Sequence, residues 1–174
     1  MSRTHAGILV GCALIAGALG ADVASAQGRG AQAPPQPVAP TDREGFMIAT
    51  PEAIRAAQAS GGRTQYLLGN PSQPGLYVIQ LVWEPGQGSR PHTHNEARLI
   101  NVLEGTWYVA TGEAAREYNP DAMTPVHAGT FIYEPANGIH YDMAKDQRVV
   151  VQIMGIGPVG TTQLDQPAAG SAPR

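Results

Sequence analysis

At 174 residues and a net charge of −3, the chain has room for one ordinary domain with its own core and carries no excess of positive charge. Its only lysine is Lys145, which excludes the basic stripe of a nucleic-acid-binding face. With 21 glycines and 15 prolines, and few stretches of helical period, the composition points to a turn-rich β protein.

The chain opens on a signal-like segment. Arg3 supplies a positive start, AGILVGCALIAGALG is apolar, and Ala24-Ser25-Ala26 before Gln27 is an A-x-A cleavage site. Residues 1–26 therefore read as a cleaved signal peptide and the protein as periplasmic or secreted. A retained anchor would need a longer apolar run. Leu9-Val10-Gly11-Cys12 has the form of a lipoprotein box, but few apolar residues precede Cys12 and many follow it. Cleavage after Ala26 leaves a mature protein without cysteine, which excludes disulfides, thiolate ligands and a cysteine nucleophile together.

Residues 27–42 form a proline- and alanine-rich tether with too little apolar content to fold, and 161–174 read as a tail of the same kind. The folded domain is expected over 43–160. Within it, Thr50 is a good N-cap, Pro51 suits the first helical position, and PEAIRAAQAS stops at Gly61-Gly62, so one short helix is predicted. Strands are predicted at Thr64–Leu68, Leu76–Trp83, His94–Leu103, Thr106–Ala110, Gly129–Tyr133, His140–Met143 and Arg148–Met154. The breaks between them carry turn residues. Many short strands at close spacing predict an all-β sandwich or jelly roll.

The segment PHTHNEARLINVLEG places His92 and His94 at i and i+2, on one face of a strand. His140 lies in a second segment, GTFIYEPANGIH. Three neutral imidazoles around one point suit a transition metal rather than calcium or magnesium. By strand parity Glu96 and Arg98 share the histidines' face. Asp142 shares the face of His140, where it either orients an imidazole or is an ordinary strand-end residue. His127 reads as a surface residue. The tryptophans and Tyr77, Tyr108 and Tyr133 read as core or rim. Gln80 and Gln152 interrupt apolar strands, which marks them as candidate contacts in a polar lumen.

These residues carry a resemblance to the cupin superfamily, specifically to its single-domain, type-2-like members. The first motif runs Gly86, five residues, His92-Thr93-His94, three residues, position 98, six residues, Gly105. The second runs Gly129, five residues, Pro135, position 137, Gly138-Ile139, His140. Both match the family's spacing. The resemblance implies a double-stranded β-helix with a metal inside, held by His92, His94 and His140.

Three positions depart from the family pattern. Arg98 stands where the family has a glutamate ligand, Asn137 where it has a glycine, and Ala144 where it has an asparagine. Asn tolerates positive φ and can stand in for a turn glycine. Arg98 cannot ligate, because a guanidinium has donors and no acceptor. Either Glu96 replaces the carboxylate as ligand or acid/base, or the metal keeps three histidines and open positions. Arg98 then binds an anionic substrate group, or else pairs with Glu96 or Glu104 or turns to solvent.

The resemblance implies one divalent transition metal (iron, manganese, nickel or zinc) and a metalloenzyme such as a dioxygenase, isomerase or lyase. Its substrate would be a small organic molecule, an anionic one if Arg98 binds it. A non-catalytic binder of a small molecule or metal ion, and a purely structural barrel, are the alternatives. The resemblance also implies a homodimer, while the signal-like segment implies no membrane association after its cleavage.

Overall fold

The computed structural model describes residues 36–164. The signal-like segment 1–26, most of the tether and the end of the tail lie outside those residues. Among the described residues no helix is long and apolar enough to cross a membrane.

The helix α1 spans Pro51–Ala59. Thr50 caps it, its side-chain oxygen accepting from the Ala53 N–H at 3.3 Å, and Pro51 occupies the first turn where no N–H is needed. It stops where Ser60 donates back to Ala56 and Ala57 and Gly61 takes a φ of +94°.

Ten strands follow: β1 (Thr64–Leu68), β2 (Gly75–Trp83), β3 (His92–His94), β4 (Arg98–Glu104), β5 (Thr106–Thr111), β6 (Thr124–His127), β7 (Phe131–Glu134), β8 (His140–Ala144), β9 (Val149–Gly157) and β10 (Thr161–Gln163). They form two antiparallel five-stranded sheets, ordered β1-β2-β9-β4-β7 and β10-β3-β8-β5-β6. This is the expected all-β double-stranded β-helix with one short helix.

Alternation turns one face of each sheet inward. Tyr77, Ile79 and Trp83 of β2, Ile100 and Val102 of β4, Trp107 of β5, and Val149, Val151 and Ile153 of β9 build the buried core. Burial of each such side chain stabilises the fold by about 1.5–3 kcal/mol. A satellite cluster forms around Tyr141, whose hydroxyl donates to the Asn119 carbonyl and accepts from its N–H, both at 2.9 Å. Those bonds tie down the excursion between β5 and β6.

The first sheet also carries a polar inner row. Tyr77 of β2 faces Gly155 of β9, Gly155 faces Arg98 of β4, and Arg98 faces Glu134 of β7. Glycine at 155 leaves room for the tyrosine ring, since a Cβ there would lie 2.8 Å from the Tyr77 hydroxyl.

The structure corrects several expectations. The strand expected over His94–Leu103 is two strands in different sheets, with bends at Asn95 and Glu96. The crossing ends the parity that would align Glu96 with the histidines, and Glu96 is exposed. Strand β10 falls in the expected tail and pairs with β3, Thr161 opposite His94 and Gln163 opposite His92. Packing also begins before residue 43: Val38 donates to the Tyr66 carbonyl at 2.8 Å and Ala39 is buried.

Gln80 and Gln152 lie opposite each other but not in the lumen. Their neighbours Leu81 and Ile153 face the histidines, so the two amides point to the outer face of the sheet. There Gln58 of α1 donates to Gln80 at 2.9 Å. These amides satisfy a helix–sheet contact and are not placed to touch a ligand.

Candidate metal centre

The three predicted histidines meet. His92 of β3 pairs directly with His140 of β8, and His94 stands two residues along β3. One ligand atom from each lies within 4.8 Å of the others, and all three residues are buried.

Backbone carbonyls set each ring's orientation. His92 Nδ1 lies 2.7 Å from the Arg90 carbonyl, His140 Nδ1 3.0 Å from that of Gly138, and His94 Nδ1 3.3 Å from that of Gly160. A carbonyl can only accept, so each Nδ1 carries the hydrogen and each Nε2 is left as a bare acceptor. The Thr161 hydroxyl, 3.1 Å from His94 Nδ1, adds a second support from β10.

This donor set fits a metal ion. Nε2 of His92 and Nε2 of His94 are 3.2 Å apart. Two nitrogens bound at about 2.0–2.1 Å to one metal sit about 2.8–3.4 Å apart over octahedral to tetrahedral angles. Without a cation or a proton between them, two lone pairs at that distance repel. Burial holds His92 and His94 neutral, as ligation requires: it lowers the His94 pKa to about 3, with the Arg98 charge adding to it, and lowers that of His92 in the same direction.

Arg98 closes one side of the cluster. Its Nε and Nη2 donate to the two carboxylate oxygens of Glu134 at 2.9 and 2.8 Å, a bidentate pair with both side chains nearly buried. Arg98 Nη2 and Glu134 Oε2 each lie 3.4 Å from His140 Nε2. The expected partners, Glu96 and Glu104, are not used; Glu104 instead pairs with Arg148. Glu134 is missed by sequence reasoning because the pair exists only through the β4–β7 register. Its one local signal is parity, since in FIYE the glutamate shares the inward side with Ile132.

Asp142 lies deeper. It is 5% exposed, and burial raises its carboxyl pKa to about 6, partly opposed by His140 and Arg98. Its backbone is clamped by Ser89, which donates its N–H to the Asp142 carbonyl at 2.8 Å and accepts the Asp142 N–H on its hydroxyl at 3.0 Å. His127 is exposed and bonds Thr106 on the surface, as expected.

Two spaces flank the histidines. A cavity of about 430 Å³ is walled by Ile100, Val109, Ile132, Tyr133 and Ile139, with Glu134, His140 and Asp142 as its polar groups. A smaller chamber of about 160 Å³ is lined in part by His92, His94 and Arg98. Trp107 and Asp142 border both.

This fold and site agree with a comparison by sequence, in which the ChrR cupin-like domain family matches residues 44–160. The chain belongs to that family. No curated protein sequence matches it. Solved structures similar to this ChrR cupin-like chain include the polyketide cyclase RemF from Streptomyces resistomycificus, with a TM-score of 0.51 and 17% identity over 60% of this chain and 72% of that one. A cupin 2 domain-containing protein from Halorhodospira halophila has a TM-score of 0.47 and 16% identity over 71% of this chain and 77% of that one. At such identities the likeness is one of fold, and the site must be read from its own residues.

Proposed function

We propose that this ChrR cupin-like protein is an exported metalloenzyme that acts on a small, largely apolar organic molecule at a three-histidine centre. The observation that carries the reading is the convergence of three buried, carbonyl-oriented imidazoles, one of which, His140, lines a largely apolar cavity. His92, His94 and His140 would hold one divalent transition metal. When bound, the metal supplies a Lewis-acidic centre for an oxygen of the ligand. Export rests on the sequence pattern of residues 1–26 alone.

Around that centre the chain's own groups divide the work. The apolar walls hold the body of the ligand and keep bulk water from it. Glu134 Oε2, beside His140 and open to the same cavity, is the carboxylate placed to take a proton from the ligand. Arg98 fixes the direction of that carboxylate through two bonds. With its charge spent on Glu134, Arg98 is not a free clamp for a substrate carboxylate, which favours a neutral ligand over an anionic one. Proton transfer at a ligand of this kind belongs to isomerase and lyase chemistry, and is also the opening step of oxygen-dependent cleavage of an acidic C–H compound.

The test is product formation. Metal-loaded protein is incubated with small carbonyl compounds bearing an acidic C–H, with and without oxygen, and the mixtures are read by mass spectrometry. Turnover lost in Glu134→Gln, with metal content retained, supports the reading. Saturable binding without product would favour the non-catalytic binder.

A further inference from the structure

Among the described residues, three buried side-chain polar atoms have no hydrogen-bond partner: Trp83 Nε1, Trp107 Nε1 and Asp142 Oδ1. The three residues belong to three different strands, yet all line the same chamber of about 160 Å³ beside His92 and His94. An inert core does not gather orphans in this way. A buried polar group left without a partner has lost its water and gained nothing in return, so their convergence marks a place where a guest completes the bonding.

The chemistry of the three atoms restricts that guest. An indole N–H only donates, whereas the unpartnered carboxylate oxygen of Asp142, a residue that lines the chamber, accepts. The two indoles stand 6.4 Å apart between centroids and are tilted by 49°, so one guest can meet both rings. A ketone or ether could accept from the indoles and leave Asp142 unpaired. An ammonium could donate to Asp142 and leave the indoles unpaired. An O–H group does both. The walls are held for the purpose: Ser89 clamps the Asp142 backbone from both sides, and the Arg63 guanidinium stacks 3.6 Å over the Trp83 ring.

We propose that this chamber is a hydroxyl-binding site, which shares Trp107 and Asp142 with the apolar cavity and is filled either by ordered waters or by the hydroxyl groups of a small polyol. Its volume admits several waters or a molecule of two to three carbons. The chamber adjoins the candidate metal ligands His92 and His94, while the unpartnered atoms that call for a guest belong to Trp83, Trp107 and Asp142.

The protein's two tryptophans both line the chamber, so intrinsic tryptophan fluorescence reports on it. The probes are ethylene glycol and glycerol, with 1,2-dimethoxyethane as the control that has oxygens and no O–H. A saturable emission change with the diols and none with the ether supports a polyol site. Trp83→Phe, which keeps the ring and leaves Trp107 as reporter, should then weaken binding about tenfold. If no probe saturates, a high-resolution crystal structure grown without polyols decides: waters bonded to all three atoms support the water-filled form. An empty chamber, or three atoms bonded to protein groups, with no saturable response overturns the proposal.

Discussion

Arg98 and Glu134 face each other on adjacent strands, β4 and β7, and are joined by two parallel hydrogen bonds at the edge of the histidine cluster. An arginine where the family pattern has a carboxylate is thus answered by a carboxylate from the second motif. The pair is neutral overall, so the negative charge that a glutamate ligand would bring to the site is cancelled.

That pair is expected to behave as a unit. Arg98→Leu leaves a nearly buried carboxylate unpaired, Glu134→Leu leaves a nearly buried guanidinium, and each should cost about 3–5 kcal/mol in urea unfolding. The double variant Arg98→Leu/Glu134→Leu should be less destabilised than either single change. Additive losses would show that the two side chains are independently solvated.

The acid dependence of metal-free protein should contain opposed contributions, His94 and His92 on one side and Asp142 on the other. The folded pKa of His94, about 3, lies below its unfolded value of about 6.5, so its stabilisation is complete above pH 6.5 and is lost as pH falls toward 3. Asp142 runs the other way. Its folded pKa, about 6, lies above the unfolded value of about 3.9, so its contribution is full below pH 3.9 and is lost as pH rises through 6. Asp142→Asn removes the opposing group. From pH 7 to pH 4 that variant should lose about 2–3 kcal/mol more than the parent in denaturant titrations.

Strand β10 is expected to matter to the metal. Truncation after Gly160 removes Thr161, which supports the His94 imidazole, and the ladder that covers β3. Loss of such outer supports typically lowers metal affinity about 10–100-fold. Competition with a chromophoric chelator would measure this, and an unchanged affinity would mean that Gly160 alone orients the ring.

The turn before His140 offers a backbone test. Asn137 has a φ of 61°, the left-handed conformation that the glycine of the family motif would occupy. Asn137→Gly should leave thermal stability within about 0.5–1 kcal/mol of the parent. Asn137→Val should cost about 1–3 kcal/mol, because a β-branched residue resists that conformation.

What is legible in the sequence is local. Thr50, Pro51 and Gly61 mark the helix because caps act within a few residues. The histidines are legible from alternation along β3 and the spacing of the second motif. Asn137 is legible from its own backbone tolerance. The rest is set by distant partners. Glu134 meets Arg98 only through sheet register. Glu96 is displaced by the crossing between sheets at Asn95 and Glu96. Gln80 and Gln152 have the pattern of lumen amides because nothing near them announces that Gln58 of α1 will cover the outer face. Strand β10, with the sequence TTQ, has too little apolar content to signal a strand and is held by its ladder to β3.

The central claim is that the three imidazoles hold a metal, and metal content tests it most directly. The protein is purified without a histidine tag and read by elemental mass spectrometry. The account predicts close to one iron, manganese, nickel or zinc per chain, lost when His92 and His94 are changed to Ala. A protein that stays metal-free after growth with each of those metals would contradict it.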